Sequence, residues 1–309
     1  TDPSDVTVKV AGTQVIPTAV NGQTGAVTLP FAPEIGVVVT IQYYFNSWQD
    51  TFDYLANRGV TEVTLCGITP DRNDYIDRSS LRPKDDKILE GAAAIIVYCD
   101  SDSVVRNHYP RLMELSKNGT GLFFMHYGVH PRKREDGRNY YLPTIGGFME
   151  SGFSVNPHWV ADIKVASDHP IRRGCEKPIK VVDEFYYNMR FADKVIPLAT
   201  AIPNKDKMKT INLWNENGPA GFGKPQSLLW GFEQKSGVRG AGYTGGHYHR
   251  NWANDGIRTM ILNTIVWITG LDVPEGGLKY KTHSEDEIHA HLAQPPLPTR
   301  IQLHITRDA

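Results

Sequence analysis

Apolar and polar positions alternate along this chain in a way that predicts a layered α/β architecture. Val6 to Val10 alternates like a short strand, and Asn21-Gly22 reads as a turn. The mostly apolar runs Ile35–Ile41, Ala92–Tyr98 and Gly121–His126 read as strands, the first of them buried, and Glu62–Cys66 reads as another strand. Between them lie stretches of helical period. Trp48, Phe52 and Leu55 recur at spacings of three and four over 47–58 and stop at Gly59, and a second helix is expected over 104–118 before Gly119. Residues 71–87 are polar and read as a long loop. Strand and helix alternating in this manner predict a parallel sheet flanked by helices on both faces. From 130 to 230 the pattern loosens into loops and short strands such as Trp159–Val165, an insertion expected to cover the strand ends. Arg239 to Thr244 is a late strand, and Asp255 to Thr269 an amphipathic helix with Ile257, Ile261, Ile265 and Ile268 on its apolar face. The expected organisation is an N-terminal arm over 1–34, an α/β domain over 35–277 and a tail over 278–309 that packs on the site or on a second subunit of a homo-oligomer.

Composition narrows the function. The 309 residues are 40% hydrophobic and 22% charged, with a net charge of -1, so no global field draws the chain to nucleic acid or an anionic membrane. The basic run Arg132-Lys133-Arg134 is followed at once by Glu135-Asp136 and reads as a solvated tip. Three widely spaced cysteines form neither a disulfide framework nor a zinc ribbon, and no apolar run is long enough for a membrane span. Nothing in the sequence separates a cytoplasmic from a periplasmic or exported protein.

Candidate chemistry gathers on histidines. Two stand two positions apart, His247 and His249, after four glycines within seven residues, Gly240, Gly242, Gly245 and Gly246. In an extended segment their imidazoles share one face, which suits two ligands of one ion, and Asn251 and Trp252 follow to contact substrate. His126 ends a central strand, where related α/β architectures place a nucleophile. With neither Cys nor Ser there, it reads as a base, a metal ligand or a ring satisfied by the backbone, with Tyr127 beside it as a sugar platform. His158 and Trp159 follow Pro157 and read as a stacking site or as an anchor of the insertion, and Asp168-His169-Pro170 reads as a capped turn. Asp183-Glu184 precedes Phe185, Tyr186 and Tyr187, and since strand neighbours point to opposite faces only one carboxylate is expected to face the site. That one orients a histidine, ligates a metal or moves a proton; the aromatic pair joins the substrate surface. His126, His158, His247 and His249, with a carboxylate, suit a zinc- or manganese-like divalent cation. The fingerprints of nucleotide cofactors are missing, and Gly240-Ala-Gly242 alone is too weak to be a phosphate loop.

Taken in order, the strand ending Met125-His126-Tyr127-Gly128, the segments Gly146-Gly147-Phe148 and Ser154–Trp159, Asp168–Ile171, Asp183–Tyr187, and Arg239–His249 leading into Asn263–Trp267 resemble the trehalose-utilisation (ThuA-like) family over roughly 85–277. The resemblance implies a class I glutamine-amidotransferase-like, flavodoxin-like fold without the catalytic cysteine. It also implies bacterial carbohydrate catabolism on sugars whose C3 hydroxyl a partner dehydrogenase has oxidised. The expectation is an enzyme on a glycoside with a C3 ketone, working by proton abstraction beside the ketone with isomerisation or β-elimination as outcome. His126, His158, His247, Asp183 and Glu184 are the acid, base or ligand groups. Two alternatives stand beside it: a sugar-binding protein without turnover, expected if the histidines lie apart, and a hydrolase of the amidotransferase-like fold using Cys66 or Cys99.

Overall fold

A computed structural model describes residues 89–208 and 216–280 continuously, short strands before residue 89, and a few residues between 282 and 288. The helix expected over 47–58, the Asn21-Gly22 turn and the tail beyond 288 lie outside the described residues. The chain divides into two compact units, residues 1–43 with 283–309, and residues 44–282.

In the first unit, Val6–Val10 pairs antiparallel with Thr13–Val15 on one side and with Val39–Tyr43 on the other. The run expected to open the layered domain thus contributes its C-terminal part to a different sheet. In that pairing Val8 stands opposite Ile41.

The second unit holds an eight-stranded sheet. Its strands are β1 (Val63–Cys66), β2 (Ala94–Val97), β3 (Gly121–Met125), β4 (His158–Val165), β5 (Ile179–Glu184), β6 (Ile196–Ala201), β7 (Gln226–Glu233) and β8 (Arg239–Tyr243). They lie in the order β5-β4-β6-β7-β8-β3-β2-β1. The half from β8 to β1 is parallel, as the alternation of strand and helix predicted, and the half from β7 to β5 is antiparallel. The 130–230 insertion was expected to lie over the strand ends; instead β4, β5 and β6 from it widen the sheet sideways, with β7 linking them to β8. Pairing in this direction gives β8 a partner on a side that would otherwise be an open edge.

Helices cover both faces. Successive residues of β2 and β3 point to opposite sides, so Ala94, Ile96, Phe123 and Met125 pack in one core with α2 (Asp255–Ile268), and Ile95, Val97, Leu122 and Phe124 in another with α1 (Tyr109–Lys117). The helix expected over 104–118 is interrupted, with a short turn at Ser101–Val104, a 3-10 turn at Arg106–His108 and Pro110 in the first turn of α1. Helix α2 starts where Asn254 Oδ1 accepts the Ile257 N–H at 3.1 Å. It is buried on every side from Ile257 to Ile268, polar face included. Asn263 explains this: its amide donates to the carbonyls of Ile171 and Arg173 at 2.9 and 2.8 Å, and its oxygen accepts the Leu278 N–H at 3.0 Å. The Asp168-His169-Pro170 segment is therefore a lid on α2, capped by His169 Nδ1 accepting the Ile171 N–H.

Candidate functional site

Strand β3 ends in a sharp turn at His126, whose φ of 52° is left-handed for a non-glycine residue. Such a backbone costs on the order of 1–3 kcal/mol and persists where the surroundings hold it. The turn buries the imidazole above the parallel half of the sheet and sets its Nδ1 3.4 Å from the Thr244 carbonyl, just past the end of neighbouring β8. A carbonyl only accepts, so Nδ1 carries the proton and Nε2 presents a lone pair. That lone pair looks at Glu184 Oε2, 3.4 Å away.

Antiparallel pairing of β4 with β5 brings up the next groups. His158 is the register partner of Glu184, so both side chains stand on one face, while Trp159 and Asp183 form the next pair on the other. Glu184 is buried; Asn156 Nδ2 donates to its Oε1 at 2.6 Å, and His247 Nδ1 lies 2.9 Å from its Oε2. Oε2 is sealed from solvent, with these two imidazole nitrogens as its polar neighbours. Ring centroids of His126 and His247 lie 5.4 Å apart, and those of His247 and His158 lie 4.8 Å apart. Tyr248 completes the group, its hydroxyl 2.8 Å from His158 Nδ1 and its ring under the Arg250 guanidinium.

The loop carrying His247 is held from beneath by Asp183. This fully buried carboxylate accepts the N–H of Gly246 at 2.8 Å, of Tyr248 at 3.1 Å and of Glu184 at 2.9 Å. Its role is to position His247 and Glu184, which corrects the expectation of a catalytic Asp183. Gly246 has φ of 108° and its carbonyl accepts the Tyr98 hydroxyl; a side chain at Gly245 would run into Phe185 and Tyr243. The glycines let this loop lie directly on an aromatic bed.

Other expected site residues divide clearly. Tyr127 is 44% exposed with its ring 4.9 Å from that of His126, and Tyr186 is buried 5.2 Å from the same ring. His249 begins the 3-10 turn His249–Ala253 and is close enough for its charge to act on His126, but it is not among the residues whose ligand atoms converge. Trp159, Tyr187 and Asn251 leave the substrate surface. Trp159 is buried and donates to the Phe185 carbonyl, Tyr187 is buried and donates to the Gly218 carbonyl, and Asn251 pins its turn to the Val182 carbonyl of β5. Trp252 packs edge-on to Tyr98 with 6.0 Å between centroids. Cys99 is buried within the core beneath α1. Asn156 and Tyr248 are site groups that sequence reasoning missed; the signals were the Pro157 that follows Asn156 and the two histidines that flank Tyr248.

Electrostatics set the protonation states. Burial, reinforced by the charges of His247, His158 and His249 and opposed by the Thr244 carbonyl, pulls His126 down to about 3. Burial pushes Glu184 up, with Asp183 adding to it and His247 and Asn156 opposing. Burial and His247 lower His158. At neutral pH the two lowered imidazoles are neutral, the form that accepts a proton or binds a metal. His126, Glu184 and His247 each offer one ligand atom, all within 4.8 Å of one another. Two imidazoles and a carboxylate are a ligand set for zinc-like ions. A cation would take up the sealed Glu184 Oε2 and the inward Nε2 lone pair, while the Thr244 carbonyl orients His126 from behind.

The family model described as ThuA, trehalose utilisation, matches residues 57–268. The chain belongs to the ThuA family. The match begins upstream of the sequence motifs and takes in β1 and every strand after it. Membership links the chain to carbohydrate utilisation. No curated protein matches the sequence. Among solved structures, a ThuA-like protein from Bacteroides uniformis is similar at 16% identity, covering 60% of this chain and 73% of its own, with a TM-score of 0.41. A cytoplasmic protein from Salmonella typhimurium is similar at 12% identity, covering 77% of this chain and 93% of its own, with a TM-score of 0.43. Among the described residues, no helix of this ThuA-family chain is long and apolar enough to cross a membrane.

Proposed function

We propose that the chain is a carbohydrate-processing enzyme acting on a glycoside that bears a ketone at C3, and that it removes the proton beside the ketone. The observation that carries this reading is the sealed Glu184 oxygen set between His126 and His247, beside a third imidazole that Tyr248 holds in place. Family membership supports the carbohydrate, and the exposed ring of Tyr127 supports a sugar face against it.

The ketone makes the C2–H acidic. His158, neutral and steadied through Nδ1 by the Tyr248 hydroxyl, takes that proton on Nε2. The C–H electron pair becomes the C2–C3 double bond of an enolate, with the charge on the former ketone oxygen. His126, Glu184 and His247 would hold a zinc- or manganese-like cation. Bound there, it supplies Lewis-acid stabilisation of that oxygen. The enolate electrons then expel the aglycone from C1, which takes the proton held on His158 and leaves as the free alcohol, and the ring retains a C1–C2 double bond. Reprotonation without loss of the aglycone gives the isomer instead. Asn156 keeps the Glu184 carboxylate fixed throughout.

The test is incubation of matched C3-oxidised and unoxidised glycosides in D2O, followed by mass spectrometry. The expected result is deuterium at C2 or release of aglycone from the oxidised substrate alone, lost in Glu184→Gln and His158→Ala. Inert oxidised glycosides, or variants with undiminished turnover, would remove the reading.

A further inference from the structure

One buried hydroxyl that takes no part in the proposed chemistry holds both feet of the loop that carries His247. Tyr98 follows directly on β2 and is buried. Its phenol donates to the Gly246 carbonyl in the loop after β8. The same oxygen accepts the indole N–H of Trp252, whose ring stands edge-on to that of Tyr98. Gly246 and Trp252 bracket His247, Tyr248 and His249, so the two ends of this segment are tied to a single phenol. Trp252 is itself anchored, since its carbonyl accepts Arg258 Nη1 at 2.7 Å from the buried helix α2. Burial, with Asp183 adding to it and the Trp252 N–H opposing, raises Tyr98 above its ordinary value, so the phenol keeps its proton and stays a donor. The close approach requires glycine, because a side chain at Gly246 would come within 2.9 Å of the phenol oxygen.

The effect falls on His247. A residue has two soft backbone dihedrals, and each leads to a planar peptide. The peptide before His247 is held at its carbonyl, that of Gly246, by Tyr98. The peptide after it is held at its N–H, that of Tyr248, by Asp183 at 3.1 Å. With both planes fixed, the direction of the His247 side chain is fixed too, and its Nδ1 comes to 2.9 Å from Glu184 Oε2. Asp183 alone would leave the first plane free to turn. Resting on the ligand set of the proposed function, we infer that Tyr98 is a positioning residue that sets His247 against Glu184 through the Gly246 carbonyl, with Trp252 holding the phenol in place.

Zinc affinity of chelator-treated protein, measured by competition with a chromogenic chelator, reads the placement of His247. Tyr98→Phe keeps the ring and removes the donor. Its zinc dissociation constant is expected to rise about tenfold, the lower end of what loss of an outer partner costs a metal site. Tyr187→Phe is the control, because it removes an equally buried phenol that donates to another glycine carbonyl, that of Gly218, at 2.9 Å. It is expected to lower stability and leave zinc affinity unmoved. No rise in Tyr98→Phe, or an equal rise in both variants, overturns the inference. Trp252→Phe removes only the indole donor and decides the matter where Tyr98→Phe fails to fold: a smaller rise supports the clamp, and none overturns it. If the wild type holds no zinc, the proposed cation falls, and the clamp is then read by amide hydrogen exchange. Tyr98→Phe is expected to speed exchange at Gly246 and Tyr248 about tenfold, one hydrogen bond lost from the local opening free energy, and to leave Phe123 on β3 unchanged. Unaltered rates at those two amides overturn the inference.

Discussion

Asp183 and Glu184 are adjacent in sequence and opposite in use. Asp183 meets only backbone donors, so Asp183→Asn sets an amide N–H against one of the N–H groups of Gly246, Tyr248 or Glu184. The expected outcome is a loss of about 2 kcal/mol in urea unfolding, the cost of an unsatisfied buried donor, together with loss of activity as His247 swings off Glu184. His126 makes a prediction in pH. In the folded chain it is held near 3, against an ordinary value of 6.5. Between those values the unfolded chain binds a proton that the folded chain refuses, so this contribution to stability is present above 6.5 and is lost as pH falls toward 3. Glu184, raised, acts oppositely: its contribution is present below the ordinary carboxylate range and fades as pH rises through its folded value. His126→Asn keeps a residue that tolerates positive φ and removes the titration. In chelator-treated protein, urea midpoints of this variant are expected to fall less steeply than those of the wild type from pH 6.5 to 4. Parallel slopes would mean the imidazole titrates normally. Much of this site is legible residue by residue, because histidine and paired carboxylates at strand ends have few structural uses. The part that is not legible, Asp183 serving the backbone and Trp159 and Tyr187 serving the core, depends on which face of β4 and β5 looks outward. That is set by pairing partners distant in sequence.

At the scale of elements, β8 shows how packing demands sequence. Gly240 lies so close to the end of the 142–144 turn that a side chain would overlap the Thr144 carbonyl oxygen, with Ile145 Cα at 2.9 Å. Backbone cannot give way as a flexible side chain can. Gly240→Ala is therefore expected to destabilise the protein by about 3 kcal/mol, the upper part of the overpacking range, measurable by chemical denaturation. Gly237→Ala, with nothing within 4 Å of its added carbon though at a φ of 86°, is the milder control. The parallel strands β2 and β3 are readable as apolar runs because α1 and α2 cover both faces. Strands β6 and β7 escape the same reading for a physical reason. Pro197 and three small residues interrupt β6, Gly231 interrupts β7, and the pairing between them shifts register near Ala199. Their strand character comes from the neighbour on each side and not from their own composition. Helix α2 errs in the other direction: its polar residues suggest a solvent face, yet Asn263 uses its amide to fasten two passing loops there.

For the molecule as a whole, the sheet is a parallel platform with an antiparallel wing, and the site needs both. His126 comes from the platform, Glu184 and His158 from the wing, and His247 from the loop after β8, the strand where the two halves join. Groups gathered from such distant parts of the chain converge only in the folded state, so a cation that binds them binds the native protein and not the unfolded one. Linkage then turns the proposed ligand set into a stability measurement. Zinc at about a hundred times its dissociation constant raises the unfolding free energy by about 2.7 kcal/mol, visible as an upward shift of the melting transition of chelator-treated protein. Glu184→Gln removes the carboxylate yet preserves an acceptor for Asn156, so its fold is expected to persist and its zinc-dependent shift to vanish. His249→Ala, outside the converging group, is expected to retain the shift. A wild-type transition that zinc and manganese leave unmoved, with no metal retained after dialysis, would leave the three side chains as a proton-sharing cluster and remove the cation from the mechanism.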